Sequence, residues 1–326
     1  MRKIRRKASL LAANLGINLL SRSGIYSGFF SDWRWAIFDR AERAGIHILP
    51  VHYYTPIPNS NEAIYNDQTP LFAAASNNIL DAAMIRISEM VECYQEKFSE
   101  ISDRKPFNKD ETISEFRFGI APYSTLEAEL LYGIIRSTKP PRIIEIRSGH
   151  TTFLIAEAIR AEKGYSPIFE CIEPYRPDYL MKLPSEVTVF NDNPLQSVDI
   201  ERFINLNKGD IVFIDSSHVA KYGSDVVYEI CNILPRLPRG VVVHFHDIFL
   251  PYEYPTDWLK QSKFFWNEQY LLSALIQDNP RYRVLYPLHQ LYRERQLEVS
   301  ALFPLLKNPN HRPGAYWLEI MNEPSL

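Results

Sequence analysis

The sequence predicts a doubly wound α/β domain, Rossmann-like in its layering, preceded by a mainly helical extension. Two observations predict it. From about residue 116 onward, short continuous β-rich runs alternate with helical patterns, the arrangement of a parallel sheet covered on both faces. An acidic or metal-capable side chain also follows nearly every run, as expected where the strands of an open sheet deliver chemistry to their carboxyl ends. A chain of 326 residues has room for one enlarged catalytic domain, or one domain with an elaborated flank. With 46% hydrophobic and 23% charged residues it is neither disordered, collagenous nor a coiled coil. A net charge of -3 leaves no global footprint for nucleic acid, so none is expected as a partner. Cys93, Cys171 and Cys231 are odd in number and far apart, which fits neither a disulfide framework nor a CxxC metal site; reduced thiols and a cytoplasmic setting are expected.

The elements follow in order. Met1 to Lys7 carries five basic residues, and Ala8 to Leu20 is moderately apolar. Asn14 and Asn18 interrupt that stretch and Arg22 follows it, a poor match to a signal peptide. An amphipathic helix fits better, docked on the body of the protein or peripherally on an anionic membrane through residues 1–20. No apolar run reaches the roughly 18 residues of a membrane span. Phe29 to Ala44 predicts a helix and Ile46 to His52 a short apolar run, ended by Pro56 and Pro58. Leu80, Met84, Ile87, Val91, Tyr94 and Phe98 recur with the period of a helix that buries one stripe. Ser102 to Glu111 reads as a linker, dividing the chain into an extension, 1–115, and a main domain, 116–326.

In the main domain, Ser124 and Glu127 form a capping box for a helix with Leu126, Leu130, Leu131, Ile134 and Ile135 on its apolar face, and Pro140-Pro141 ends it. Strands are expected at 142–146, 167–172, 187–190, 210–214, 240–245, 282–286 and 315–320, with helices at 152–162, 225–234, 267–276 and 293–306. The strand ends are therefore Glu145 to Thr152, Glu173-Pro174, Asn191-Asp192, Asp215 to His218 and His244 to Asp247. The first has an acidic-x-Gly-x-Gly shape with Arg147 in the first glycine position and Gly149 in the second. It lacks the G-x-G-x-x-G spacing that seats a pyrophosphate, which disfavours a dinucleotide. Glu173 is placed to accept hydrogen bonds from a ribose diol; the alternative is a solvated loop carboxylate.

Over residues 120–322 these features resemble the class I S-adenosylmethionine-dependent methyltransferases. The resemblance implies a seven-stranded sheet whose last strand, 315–320, is antiparallel, and S-adenosylmethionine as cofactor. It implies cofactor contacts at Glu145, Gly149, Thr151, Glu173, Asp192 and Asp215. Ile214-Asp215-Ser216-Ser217-His218 and His244-Phe245-His246-Asp247-Ile248 resemble a bacterial subgroup found with glycan and secondary-metabolite genes. Asp-x-x-His with an acid pair is similar to metal-dependent macrolide-sugar O-methyltransferases, and His246-Asp247 stands where those carry two adjacent acids. The implied reaction is methylation of a hydroxyl on a sugar, glycan or small metabolite, with His218 and Asp215 catalytic. Asp215, His246 and Asp247 would hold a divalent cation, Mg²⁺ or Mn²⁺, and the histidine shifts preference away from Mg²⁺.

Alternatives stay open for each histidine: His218 as a loop residue capping its neighbours, His246 as a structural group, His244 as a core histidine in a strand interior. Trp258, Trp266, Asn267, Glu268 and Gln269 suit a sugar-like acceptor or a loop pinned by aromatic burial, and Tyr53 and Tyr54 are candidates for a lid. Two other classes of function remain. A metal-dependent hydrolase would use Asp215, His218, His244, His246 and Asp247 but leaves Glu145, Gly149 and Glu173 idle. A catalytically silent binding subunit would account for Arg147 and the long extension.

Overall fold

The computed structural model describes residues 40–47, 56–60, 67–104, 115–118, 123–303 and 312–324. The basic start, the helix of residues 8–20 and the lid candidates Tyr53 and Tyr54 lie outside them. The chain divides into two compact units, 1–63 and 64–326. In the first, residues 40–43 are helical.

The second unit opens with α1 (Asn77–Ser102), whose expected stripe from Leu80 to Phe98 is buried. It packs on α2 (Thr125–Thr138), where the Tyr94 ring lies so close to Gly133 that any Cβ there would overlap it. This helix pair shares its core with the sheet, so the boundary expected near residue 115 falls inside the unit. The capping box at the start of α2 is complete: Ser124 Oγ accepts from the Glu127 N–H, and Glu127 Oε2 accepts from the Ser124 N–H at 2.9 Å. Glu127 Oε1 also accepts from the Gly314 N–H at 2.6 Å, tying the helix start to the approach of the last strand.

The sheet is built from β1 (Arg142–Ile146), β2 (Ile168–Ile172), β3 (Val189–Asn191), β4 (Ile211–Ile214), β5 (Val242–Phe245), β6 (Tyr282–Pro287) and β7 (Tyr316–Ile320). Its order is β3-β2-β1-β4-β5-β7-β6, and β7 runs antiparallel to both neighbours while the other pairings are parallel. Successive side chains point to opposite faces, so Ile143, Phe169, Ile211 and Phe213 join the core with α1, α2 and α3 (His150–Arg160), whereas Ile144, Ile172, Val212 and Ile214 join the core on the other face. The seven-stranded, doubly wound fold is thus as the sequence implies.

Three helices differ from expectation. α3 begins two residues early, at His150. The 225–234 segment is a short α5 (Asp225–Tyr228), following α4 (Glu201–Ile204), and then widens into a π turn over Glu229–Ile233. After α6 (Glu268–Ile276) and β6, the expected helix at 293–306 is two helices, α7 (Leu288–Glu294) and α8 (Gln296–Leu302). Arg295 leaves helical geometry between them (φ -125°, ψ 34°), and its guanidinium reaches Asn77 and Asp81 of α1. Among the described residues, no helix is long and apolar enough to cross a membrane.

Candidate active site

A cavity of about 380 Å³ opens at the carboxyl ends of the strands, lined by Ile146, Arg147, Glu173, Leu195, Ser217 and Asp225 among others. Its volume lies in the range of small-molecule sites. Glu173 follows β2 and is 4% exposed; Oε1 accepts from the Tyr175 N–H at 2.6 Å. Burial raises its pKa against the pull of that N–H and of Arg147. Arg147 is exposed and adopts φ 65°, the left-handed region that favours glycine, while its N–H donates to Ile172 O at 2.7 Å. The first glycine position of the loop therefore keeps a glycine-like backbone although an arginine occupies it.

The other candidate cofactor residues are distributed differently. Glu145 is fully buried under the loop, where its two oxygens accept from Thr151 Oγ1 and Thr152 Oγ1, each at 2.6 Å. Burial pushes this carboxyl up to about 7 despite those bonds. Thr151 is thus occupied in holding the turn, and Gly149 is the N-cap of α3. Asp192 is exposed and lies outside the cavity lining, which β3 reaches instead through Pro194, Leu195 and Gln196. Strand-end reasoning missed Asp225, which accepts from the Ser217 N–H at 2.9 Å and lines the cavity from α5. Ser224, the N-cap of α5, was its only local signal.

Beside the cavity, β4 and β5 deliver Asp215, His218, His246 and Asp247 to one place. Asp215 Oδ1 is 3.3 Å from both His218 Nε2 and His246 Nδ1, and Asp247 Oδ2 is 3.3 Å from His246 Nδ1 and 3.7 Å from His218 Nε2. Asp215, His218 and His246 offer ligand atoms within 4.8 Å of one another, which places His218 beside the set expected from Asp215, His246 and Asp247. His246 is 3% exposed, yet among the described residues neither ring nitrogen has a partner aligned in a hydrogen bond. His218 and Asp247 both hold left-handed backbones, φ 59° and 56°. Burial alone would raise the Asp215 carboxyl, but His246 and His218 hold it well below the usual carboxylate range. Burial would lower His218, whereas Asp215, Glu268 and Asp247 push it up to about 10; His246 is raised well above its ordinary value by Asp247 and Asp215.

His244 stands apart from this cluster. Its ring is fully buried, stacked on Phe213 at 4.0 Å and meeting Trp317 edge-on at 4.7 Å, and burial drives its pKa well down. The aromatic segment expected near an acceptor does border the cluster: Trp266 lies 4.3 Å from the His218 ring and stacks on Phe264 at 4.7 Å. Gln269 is a loop anchor, its Oε1 accepting from the Phe249 N–H at 3.1 Å. Glu268, at the start of α6, is 1% exposed with Oε2 2.8 Å from His218 Nδ1.

Residues 145–248 match a family described as Methyltransferase domain. An uncharacterized protein of Archaeoglobus fulgidus is 26% identical over 168 residues, 49% of this chain and 73% of that one. Among solved structures, the S-adenosylhomocysteine-bound methyltransferase PaMTH1 of Podospora anserina aligns at 15% identity over 84% of this chain and 99% of its own, with a TM-score of 0.38. The O-methyltransferase TomG of Streptomyces achromogenes, involved in tomaymycin synthesis and solved with S-adenosylmethionine, aligns at 11% identity over 77% and 92%, also with a TM-score of 0.38. The family match spans the strand-end motifs from Glu145 to Ile248, so this part of the chain is similar to a methyltransferase domain, and the sheet order around it is that of a doubly wound, Rossmann-like fold.

Proposed function

We propose that the protein binds S-adenosylmethionine in the cavity at the ends of β1, β2 and β4 and transfers its methyl group to a hydroxyl of a sugar, glycan or small metabolite. The observation that supports this most is the juxtaposition of two half-sites: a cavity with Glu173 in its wall, and a buried carboxylate–histidine cluster at the adjoining strand ends. In this reading Glu173 accepts from the ribose hydroxyls, and Arg147 and Asp225 border the cofactor.

Methyl transfer is an in-line displacement, so the chain must align the acceptor and take its proton. The acceptor oxygen attacks the methyl carbon, the carbon–sulfur bond breaks with its electrons going to sulfur, and the hydroxyl proton passes to His218 Nε2. The products are the methyl ether and S-adenosylhomocysteine.

The donor set also fits a divalent cation, since Asp215, His246 and Asp247 converge within 3.3 Å contacts and the buried His246 nitrogens lack aligned partners among the described residues. Such a cation would polarise the acceptor hydroxyl and lower its pKa. The charge balance points the same way. Unbalanced, the carboxylates around His218 keep it protonated at neutral pH, and a protonated imidazole accepts nothing. Were Asp215 and Asp247 neutralised, only the hydrogen bond and charge of Glu268 would remain of the interactions that raise His218, and Nε2 would be freer to accept a proton.

Calorimetric titration with S-adenosylmethionine, first in EDTA and then with Mn²⁺ or Mg²⁺, tests the reading. Micromolar binding is expected, and Glu173→Ala should weaken it by about 1.5–3 kcal/mol, the loss of hydrogen bonds to a charged group. No binding under either condition would sink the proposal in favour of a silent member of the fold.

A further inference from the structure

The start of α6 grips the loop that carries His218. Asn267 N–H and Glu268 N–H both donate to the His218 carbonyl, at 3.0 and 3.3 Å, and Asn267 Oδ1 accepts from the Ala220 N–H at 2.5 Å. The ring itself is then held by Glu268 Oε2 at 2.8 Å from Nδ1, both side chains being buried. These contacts fix a residue whose backbone is left-handed, and they turn Nε2 toward Asp215 and Asp247. Two further groups lie behind Glu268. Ser216 Oγ is 3.4 Å from its other oxygen, and Glu229, on the π turn, is fully buried with no aligned partner for its carboxyl among the described residues.

We propose that Glu268 is the positioning residue of this site: it accepts the His218 Nδ1–H, fixes the tautomer with Nε2 facing the reaction, and balances the imidazolium formed when Nε2 takes the acceptor proton. The assignment rests on His218 acting as the base in the function proposed above. It follows from the chemistry of imidazole, in which a donor at one nitrogen leaves the other as an acceptor. The π turn after α5 then gains a purpose. It places a second buried carboxyl behind Glu268, and burial together with the charges of Glu268 and Asp225 raises the Glu229 pKa well above its ordinary value.

The test is imidazole NMR on the full-length, ¹⁵N-histidine-labelled protein, with S-adenosylmethionine calorimetry run on each variant. A downfield, exchange-protected Nδ1 proton, assigned to His218 by its loss in His218→Ala, is expected in the wild type. It should vanish in Glu268→Ala and survive further upfield in Glu268→Gln, whose amide oxygen accepts but carries no charge. The remaining histidine signals and the cofactor affinity should stay within about twofold in both variants. Persistence of the proton in Glu268→Ala, or its absence from the wild type, would overturn the assignment; so would an unshifted signal in Glu268→Gln. Failure of S-adenosylmethionine to bind while these spectra hold would instead defeat the proposed function and leave the Glu268–His218 pair standing.

Discussion

At the residue scale, chemistry and position separate. Glu145 and Thr151 were legible as strand-end residues, but their mutual bond across the turn was not, because it depends on the chain doubling back within six residues. Arg147 departs from the glycine expected there, yet φ 65° preserves the turn at a cost of about 1–2 kcal/mol, and the arginine itself lines the cavity. Glu268 was visible only as one polar residue among aromatics, since nothing in sequence spacing links it to His218, 50 positions away. The roles proposed for this pair are testable together in turnover. His218→Ala should lower methyl transfer about 10²–10⁴-fold with cofactor affinity nearly intact, the loss of a general base. In that background Glu268→Ala should cost nothing further, because the partner through which it acts is gone. Additive losses in the double variant would show that Glu268 acts on something else.

At the element scale, periodicity and capping were dependable guides. The stripe of α1 and the capping box of α2 appear where the pattern placed them, because each is specified by neighbours three or four residues apart. The split between α7 and α8 was not legible, since Arg295 leaves the helix where its side chain meets α1, more than two hundred residues away in sequence. The close crossing of α1 and α2 was equally hidden. It depends on Gly133 lying under the Tyr94 ring, which is 2% exposed and packed edge-on against Tyr132 with ring centroids 6.1 Å apart. Gly133→Ala should therefore cost about 1–3 kcal/mol by overpacking, despite alanine's better helix propensity. Thermal or urea unfolding measures it, and an unchanged midpoint would mean the helices separate freely at this crossing.

At the scale of the whole molecule, buried ionisable groups set opposing pH dependences. His150 and His289 are lowered by burial to about 4, so stability falls as pH drops below 6.5 and the unfolded chain takes up their protons first. The buried carboxyls act in the other direction. Burial raises Glu129 to about 8 and Glu145 to about 7, so each contributes its full stability below about 4.5, where both states are protonated. Above that the unfolded state ionises first, and the contribution is lost as pH climbs through the folded values. Glu129 is the cleaner case: it sits on α2, fully buried, and neither oxygen has an aligned partner among the described residues. Glu129→Gln keeps the shape and removes the charge. Urea unfolding from pH 5 to 9 should show wild-type stability declining toward pH 8, with a shallower decline in the variant. The variant's advantage above pH 8 should be on the order of 5 kcal/mol, from about 1.4 kcal/mol for each pH step between the ordinary value of 4.5 and about 8. Parallel curves would mean that this carboxyl ionises without penalty in the folded protein, which requires water to reach it beneath α1.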